Sequence, residues 1–414
     1  MKSPQCTILL IMERSLCYNC QRSLSGCRQF QEPIMKLLTK NDTRVIKGAA
    51  ILLMLMHHMW AFQERIADGG LKGLIPLGNT YFFVFLGHFG KVCVPLFFFL
   101  GGYGLAKRYA GIKFDTLGRL KKLYSSYWKV FVIFIPIAFI FFGNQGVYAV
   151  DASFCGRYNV FSVRELVLNF LAIFDTYNYE WWFLRCYVLM ILCFPLVRYA
   201  AGKCSPAAKA LIILVITVLF GKVFPDIWYA FLGEARQGNL IYDSFFCMGE
   251  PFYACFVMGV FCAENDLLDR ISAFLGRAGK LRAAAEILLV LAVIILRQIF
   301  LRKYFDVLYV PILCVILPDL AHRFPILGKL FDVFGQESTN IWLIHSFFCY
   351  YFYGIVRIIV ATHWAVPSFV TLAVMSYAAA RLVTLFWQKM SSLHIFAALQ
   401  DRRTGHAAGG TGEH

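Results

Sequence analysis

Ten apolar stretches, each close in length to a bilayer-spanning helix, limit what this chain can fold into. Inside a bilayer the backbone must satisfy its own hydrogen bonds, so long apolar runs fold there as helices. The composition agrees, because 59% of the residues are hydrophobic and only 15% are charged. We therefore predict an all-α membrane protein, a bundle of about ten transmembrane helices. The predicted spans are roughly residues 44–62, 81–106, 124–143, 181–200, 207–224, 242–263, 285–301, 306–321, 339–361 and 367–389.

The connections between these spans differ in charge, and this difference predicts the orientation of the bundle. Lys and Arg collect in the N-terminal segment, in alternate connections and in the C-terminal tail, at about three times their number on the opposite side. A side with such an excess is normally cytoplasmic, so both termini are predicted to be cytoplasmic. Because the net charge of +16 belongs to this orientation, we predict a lipid bilayer and no nucleic acid among the partners.

The balance of polar and apolar residues along the chain separates the predicted membrane domain from its flanking segments. We predict a polar, disordered leader, a ten-helix membrane domain and a loose tail at residues 1–43, 44–390 and 391–414. Cys17 and Cys20 in the leader have metal-ligand spacing, but no second pair at finger spacing follows, so no metal site is predicted. Residues 163–174 are apolar but too short to span, and we expect them to lie along the interface or to re-enter the bundle.

The first span combines a cation with paired histidines. Lys47 and His58 are 11 residues apart, which in a helix places them within ~20° on one face and roughly 16 Å apart along the axis. Ionisable groups inside an apolar span are costly in lipid and by default indicate a functional site that faces the bundle interior. The simpler interpretation is that His57 and His58 end the helix at the membrane interface.

A basic connection follows the second span. Arg119 and Lys122 are three residues apart and would point the same way from a short helix, which suits binding of a polyphosphate. The preceding glycines, Gly101, Gly102 and Gly104, allow a helix or a ligand to approach the backbone closely. Alternatively, the basic residues only orient the spans.

The fourth and ninth spans carry further polar side chains. Trp182 lies where an interfacial aromatic belt is common, but Arg185, one turn deeper, needs a partner, for which Glu180, Asp175 or a bound substrate would serve. His345 lies about a third of the way into the ninth span, where a histidine often only hydrogen-bonds to a neighbouring helix.

Five motifs in a fixed order resemble the acyltransferase 3 family of membrane acyltransferases. They are IKGAAILLMLMHH, VPLFFFLGGY, a basic loop ending in LYSSYW, WWFLRCYVLMILCFPLV and FGQESTNIWLIH. The resemblance covers about residues 44–389. Lys47 and His58 fall on the arginine and histidine of the family's first span, and Arg119 and Lys122 on its Arg-x-x-Arg. Lysine keeps the charge at these positions but lacks the bidentate fork of arginine.

The resemblance implies a transferase that moves an acetyl or other short acyl group from acyl-CoA onto sugars of cell-surface glycans or small glycosides. We expect acyl-CoA as the donor substrate, a glycan or glycolipid as the acceptor and no bound cofactor. The expected place is the cell membrane, multi-pass, in bacteria the cytoplasmic membrane. His58 would be the general base, and Lys47, Arg119 and Lys122 would hold the donor phosphates. Supporting or acceptor-path residues would be His57, Glu180, Trp182, Arg185 and His345.

Two other function classes remain open at this stage. A transporter or flippase would use the same ionisable residues as a proton relay or substrate path, but it would more naturally show broken paired spans and symmetry between halves. A scaffold without chemistry would leave the histidines and Arg185 without an explanation.

Overall fold

The computed structural model describes residues 38–66, 69–143, 157–236, 239–299 and 304–408, and most of these residues are helical. The four cysteines of the predicted leader lie outside these ranges. The helices of the first half are α1 Lys40–Trp60, α2 Phe82–Gly90, α3 Cys93–Arg108, α4 Thr116–Phe141, α5 Val163–Phe170, α6 Trp182–Lys203, α7 Pro206–Val218 and α8 Phe224–Leu232.

The second half continues in the same way. Its helices are α9 Leu240–Phe245, α10 Phe252–Glu264, α11 Leu267–Gly276, α12 Arg282–Ile299, α13 Asp306–Arg323, α14 Pro325–Gln336, α15 Ser338–Ser346, α16 Tyr353–Ile359 and α17 Ala365–Ala408. Short 3₁₀ segments are Gln63–Arg65, Tyr179–Trp181, Gly233–Arg236, Cys247–Gly249 and Gly279–Leu281, and π-helical turns are Leu219–Val223 and Phe347–Tyr351. In the described ranges the strands are limited to β1 Pro76–Leu77 and β2 Thr80–Tyr81, which pair antiparallel.

By length and apolar composition, five described helices are suited to crossing a membrane. They are Phe82–Arg108, Thr116–Phe141, Tyr179–Lys203, Pro206–Ala235 and Ala365–Leu393. A sixth is added if Ser338–Tyr351 and Tyr353–Ile359, which meet at 91°, form one broken span. The structure thus has the helices of a multi-pass membrane protein, while the number of ten spans and the side of the termini stay predictions.

The predicted sixth span, 242–263, is wrong as a continuous helix. The chain leaves the helical conformation between α9 and α10, where Met248 and Gly249 have φ values of 57° and 76°. A left-handed backbone ends a helix, and Pro251 has no N–H to continue the ladder. Only the 13 residues of α10 remain helical and apolar. The apolar 163–174 segment contains a short helix, α5, of eight residues.

Two glycine-mediated crossings hold the centre of the bundle together. α3 packs against α10 through Gly102 and Gly259, and a Cβ atom at either position would collide with a backbone carbonyl of the other helix. α1 packs against α14 through Gly48 and Gly335 in the same manner. Small residues allow such backbone-to-backbone approach, so α3 lies close against α10, and α1 lies close against α14.

The first helix is defined sharply at its start. Thr39 and Asp42 form a capping box, so α1 begins at Lys40, four residues before the predicted span. Gly48 and its buried neighbours, including Ile51 and Leu55, face the bundle. This packing turns the face that carries Lys47 and His58 towards an internal cavity.

Candidate active site

A cavity of about 750 Å³ lies in the bundle and is bounded by the first, second, third, fourth, sixth and ninth predicted spans. Eight of the nine predicted site residues line it, namely three cations, three histidines, Glu180 and Trp182. Arg185 is the exception. Residues that are up to about 300 positions apart in the sequence are therefore brought to one space.

One end of the cavity is cationic. Lys47, Arg119 and Lys122 lie close enough to repel one another. Within the described ranges none of the three forms an ion pair, and the buried Nε of Arg119 has no hydrogen-bond partner. Arg119 and Lys122 lie on the long helix α4, which Asp115 caps, and not on the short helix that was predicted. Three unpaired cations around one space form a suitable site for a polyanion.

His58 lies on the cavity wall in a fixed hydrogen-bond arrangement. The Tyr350 hydroxyl donates to the His58 carbonyl oxygen (3.0 Å), and its own oxygen lies 2.9 Å from His58 Nδ1. Because the single hydroxyl hydrogen is directed to the carbonyl, Nδ1–H is the donor to Tyr350. In the neutral ring this arrangement leaves the lone pair on Nε2, so His58 can accept a proton there.

His57 and His345 stand on either side of His58. His57 Nδ1 donates to the Gly87 carbonyl (2.9 Å), and its ring centre is 5.4 Å from that of His58. His345 Nδ1 donates to the Trp342 carbonyl (2.7 Å), and its ring centre is 4.8 Å from that of His58. His345 is thus bonded within its own helix and contacts His58, whereas a bond to a neighbouring helix was the simpler expectation.

The carboxylates divide between the cavity and its surroundings. Glu180 is buried in the cavity wall and accepts from the Tyr351 hydroxyl (2.6 Å). Arg185 pairs with Asp175 (2.8 Å), which is one of its predicted partners. Glu180, the other carboxylate predicted as a partner, is bonded to Tyr351 instead. Burial raises the pKa of the Asp175 carboxyl, and the Arg185 guanidinium partly offsets that shift. Arg185 therefore supports the wall without lining it.

Sequence reasoning missed several polar residues of the cavity. Arg65 follows the first span, Lys91 pairs with Glu250 (2.9 Å), and Asp243 accepts from the Tyr179 hydroxyl (3.2 Å). Arg65 lies seven residues beyond His58, so its position near the histidines had a signal in the sequence. Asp243 had none, because the broken helix that carries it was predicted as a continuous span.

The cavity wall combines cations and imidazoles with two carboxylates, Glu180 and Asp243. In the part of the chain that the structure describes, no group of three His, Cys, Asp or Glu side chains is arranged to hold a metal ion. What the geometry offers is a polyanion site joined to a proton acceptor.

A family model described as an acyltransferase domain, that of acyltransferase 3, matches residues 42–381. The chain belongs to the acyltransferase 3 family. This match confirms the resemblance of the five motifs and covers every residue of the cavity wall. Acyltransferase 3 membership, together with the apolar helices, identifies a membrane acyltransferase. No curated protein and no solved structure matches the chain.

Proposed function

We propose that this acyltransferase moves an acetyl or other short acyl group from acyl-CoA to a hydroxyl of a sugar or cell-surface glycan, with His58 as the general base. The observation that carries the proposal is the single cavity that joins Lys47, Arg119 and Lys122 to the lone pair of His58 Nε2. The first group suits the phosphates of CoA, and the second suits a hydroxyl proton.

The distances between the two ends agree with this assignment. Lys47 and His58 lie on one helix, 11 residues apart, which corresponds to roughly 16 Å along its axis. The donor's extended arm would bridge that gap, with its phosphates at the cations and its thioester beside His58. Met54 lies between Lys47 and His58 along α1, and Phe97 and Leu100 add further apolar surface to the wall, which suits an uncharged chain.

The reaction needs one base and a defined path for one proton. The acceptor oxygen attacks the thioester carbonyl while His58 Nε2 takes the hydroxyl proton, and a tetrahedral oxyanion forms. The C–S bond then breaks, and the departing thiolate takes the proton from His58. The products are the ester and free CoA thiol, so atoms and charge balance.

The test is thiol release from labelled acetyl-CoA by the purified protein in detergent. The assay is run without glycan and with lipopolysaccharide, exopolysaccharide and peptidoglycan preparations, and label in the glycan is measured. An acyltransferase releases thiol and esterifies at least one acceptor. A transporter of the same fold leaves the thioester intact, and that result with all preparations would overturn the proposal.

The donor site is tested by variants of the basic helix. We expect Arg119→Ala and Lys122→Ala each to raise the KM for acetyl-CoA roughly 10-fold with little change in kcat. Each variant loses charge-assisted hydrogen bonds to the donor phosphates, and these bonds are equally strong in the bound substrate and in the transition state. The matched control is Lys121→Ala, since Lys121 is exposed and is not part of the cavity wall. Lys47→Arg should retain activity, whereas Lys47→Ala should not. Equal effects of Lys121→Ala and Lys122→Ala would place the phosphates elsewhere.

A further inference from the structure

His345 has a nitrogen that the structure leaves unsatisfied. Its side chain is 1% exposed, and its Nε2 atom is buried without a hydrogen-bond partner among the described residues. Because Nδ1 donates to the Trp342 carbonyl, Nε2 carries the lone pair of the neutral ring. A buried acceptor of this kind is costly, and such an atom in a cavity wall indicates a partner that arrives during function.

The neighbour of this nitrogen is His58. The two ring centres are 4.8 Å apart and the planes meet at 54°. At that separation the two rings are in contact, and a rotation of either side chain can bring the two Nε2 atoms within hydrogen-bonding distance. Both Nε2 atoms are acceptors while both rings are neutral, so no hydrogen bond joins them in the resting state.

We infer that His345 Nε2 accepts a hydrogen bond from His58 when His58 holds the proton of the acceptor hydroxyl. The inference rests on the proposed function and assigns His345 as a positioning residue. The proton moves from the acceptor oxygen to His58 Nε2 as the new O–C bond forms, and it leaves with the thiolate after the C–S bond breaks. His345 forms no covalent bond in this sequence.

The surroundings of His58 explain why such a partner matters. Among the described residues, the charged and titratable groups around it include Arg65, His57, His345 and the Tyr350 hydroxyl at Nδ1. Arg65 is cationic and disfavours a second positive charge beside it, and the ring centre of His57 lies farther from that of His58, at 5.4 Å. His345 is the neighbour whose acceptor nitrogen is buried and has no hydrogen-bond partner among the described residues, so this nitrogen is available to stabilise the imidazolium. An interaction that exists in the transition state but not in the resting state lowers the barrier directly.

Two substitutions separate this role from a structural one. In His345→Asn the amide nitrogen can still donate to the Trp342 carbonyl, but the acceptor at the Nε2 position is gone. In His345→Gln the longer side chain places an amide oxygen near the Nε2 position, but the bond to Trp342 is lost. The inference predicts that Asn lowers kcat roughly 10- to 100-fold and that Gln restores most of it.

The assay measures kcat and the KM for acetyl-CoA by thiol release, with the best glycan preparation or with water as the acceptor. The protein is used at equal folded amounts, as judged by size-exclusion profile and acetyl-CoA binding. The KM should stay within about 2-fold in both variants, because the donor phosphates are bound at the far end. An active Asn variant beside an inactive Gln variant would show that His345 is structural. Wild-type protein that releases no thiol would instead refute the proposed function itself.

Discussion

At the scale of single residues, two adjacent histidines, His57 and His58, lie in the cavity wall, and we assign His58 as the general base. In a helix only one of two adjacent side chains shares the face of Lys47, with His58 at ~20° and His57 at ~80° from it. In the structure both histidines line the cavity, so the direction in which each side chain leaves the helix does not by itself distinguish their roles. The difference lies in their partners, since His58 is held by a hydroxyl and His57 by a backbone carbonyl.

We predict that His58→Ala lowers turnover 10²–10⁴-fold, the usual cost of a missing general base. Donor binding and membrane insertion should persist. His57→Ala should reduce activity less, because that ring mainly holds the Gly87 backbone. Thiol release is compared at equal membrane abundance. An active His58→Ala beside an inactive His57→Ala would reverse the assignment, and two active variants would exclude the proposed mechanism.

At the scale of elements, the crossing of α3 and α10 depends on a glycine at position 102. We predict that Gly102→Ala destabilises the protein by about 1–3 kcal/mol, because the added Cβ meets the Phe256 carbonyl and the backbones must separate. Gly104→Ala is the matched control, since nothing lies within 4 Å of a Cβ placed there. Unfolding temperature in detergent is the measurement. Equal melting of the two variants would show that this crossing does not limit stability.

The elements also show what a single sequence can predict. The shared face of Lys47 and His58 follows from helical periodicity within one segment, and both line the cavity. The bond between His58 and Tyr350 joins residues 292 positions apart, and nothing in one sequence specifies such a pairing. The break before α10 was not predicted, because an apolar sequence of this composition is equally compatible with a continuous helix. Its turn depends on Met248 adopting a conformation that its residue type rarely adopts.

At the scale of the whole molecule, the number of membrane spans depends on helices such as α1, which is not among the five candidate spans. The α1 helix has 21 residues, about 32 Å at 1.5 Å per residue, which matches a hydrocarbon core of about 30 Å. Its polar side chains face the cavity, and they make the helix less apolar in composition than the five candidate spans. α12 and α13 face each other with a buried pair, Arg297 and Asp306, joined at 2.7 Å and 2.9 Å. Charges paired inside a bundle are compatible with a membrane span.

We predict ten spans with both termini cytoplasmic, and reporter fusions along the chain are the measurement. Positions expected outside are Gly70, Val150, Ala235 and Lys303, and positions expected inside are Ile112, Lys203, Leu275 and Leu330. If α1 does not cross, the fusion at Gly70 will read inside. Two or more inverted positions would contradict the topology and with it the proposed path from donor to acceptor.

The π-helical turn at Phe347–Tyr351 has a consequence for how this site tolerates changes in chain length. A π-turn holds about one residue more than an α-turn, so it behaves as a one-residue insertion that the helix has absorbed. Through it, Tyr350 reaches His58 on α1 while Tyr351 reaches Glu180 beside α6. Deleting one residue here would return the segment to α-helical geometry, in which adjacent side chains differ by about 100° in direction, so Tyr350 and Tyr351 would not both keep their present directions. The register of one turn thus couples two walls of the cavity.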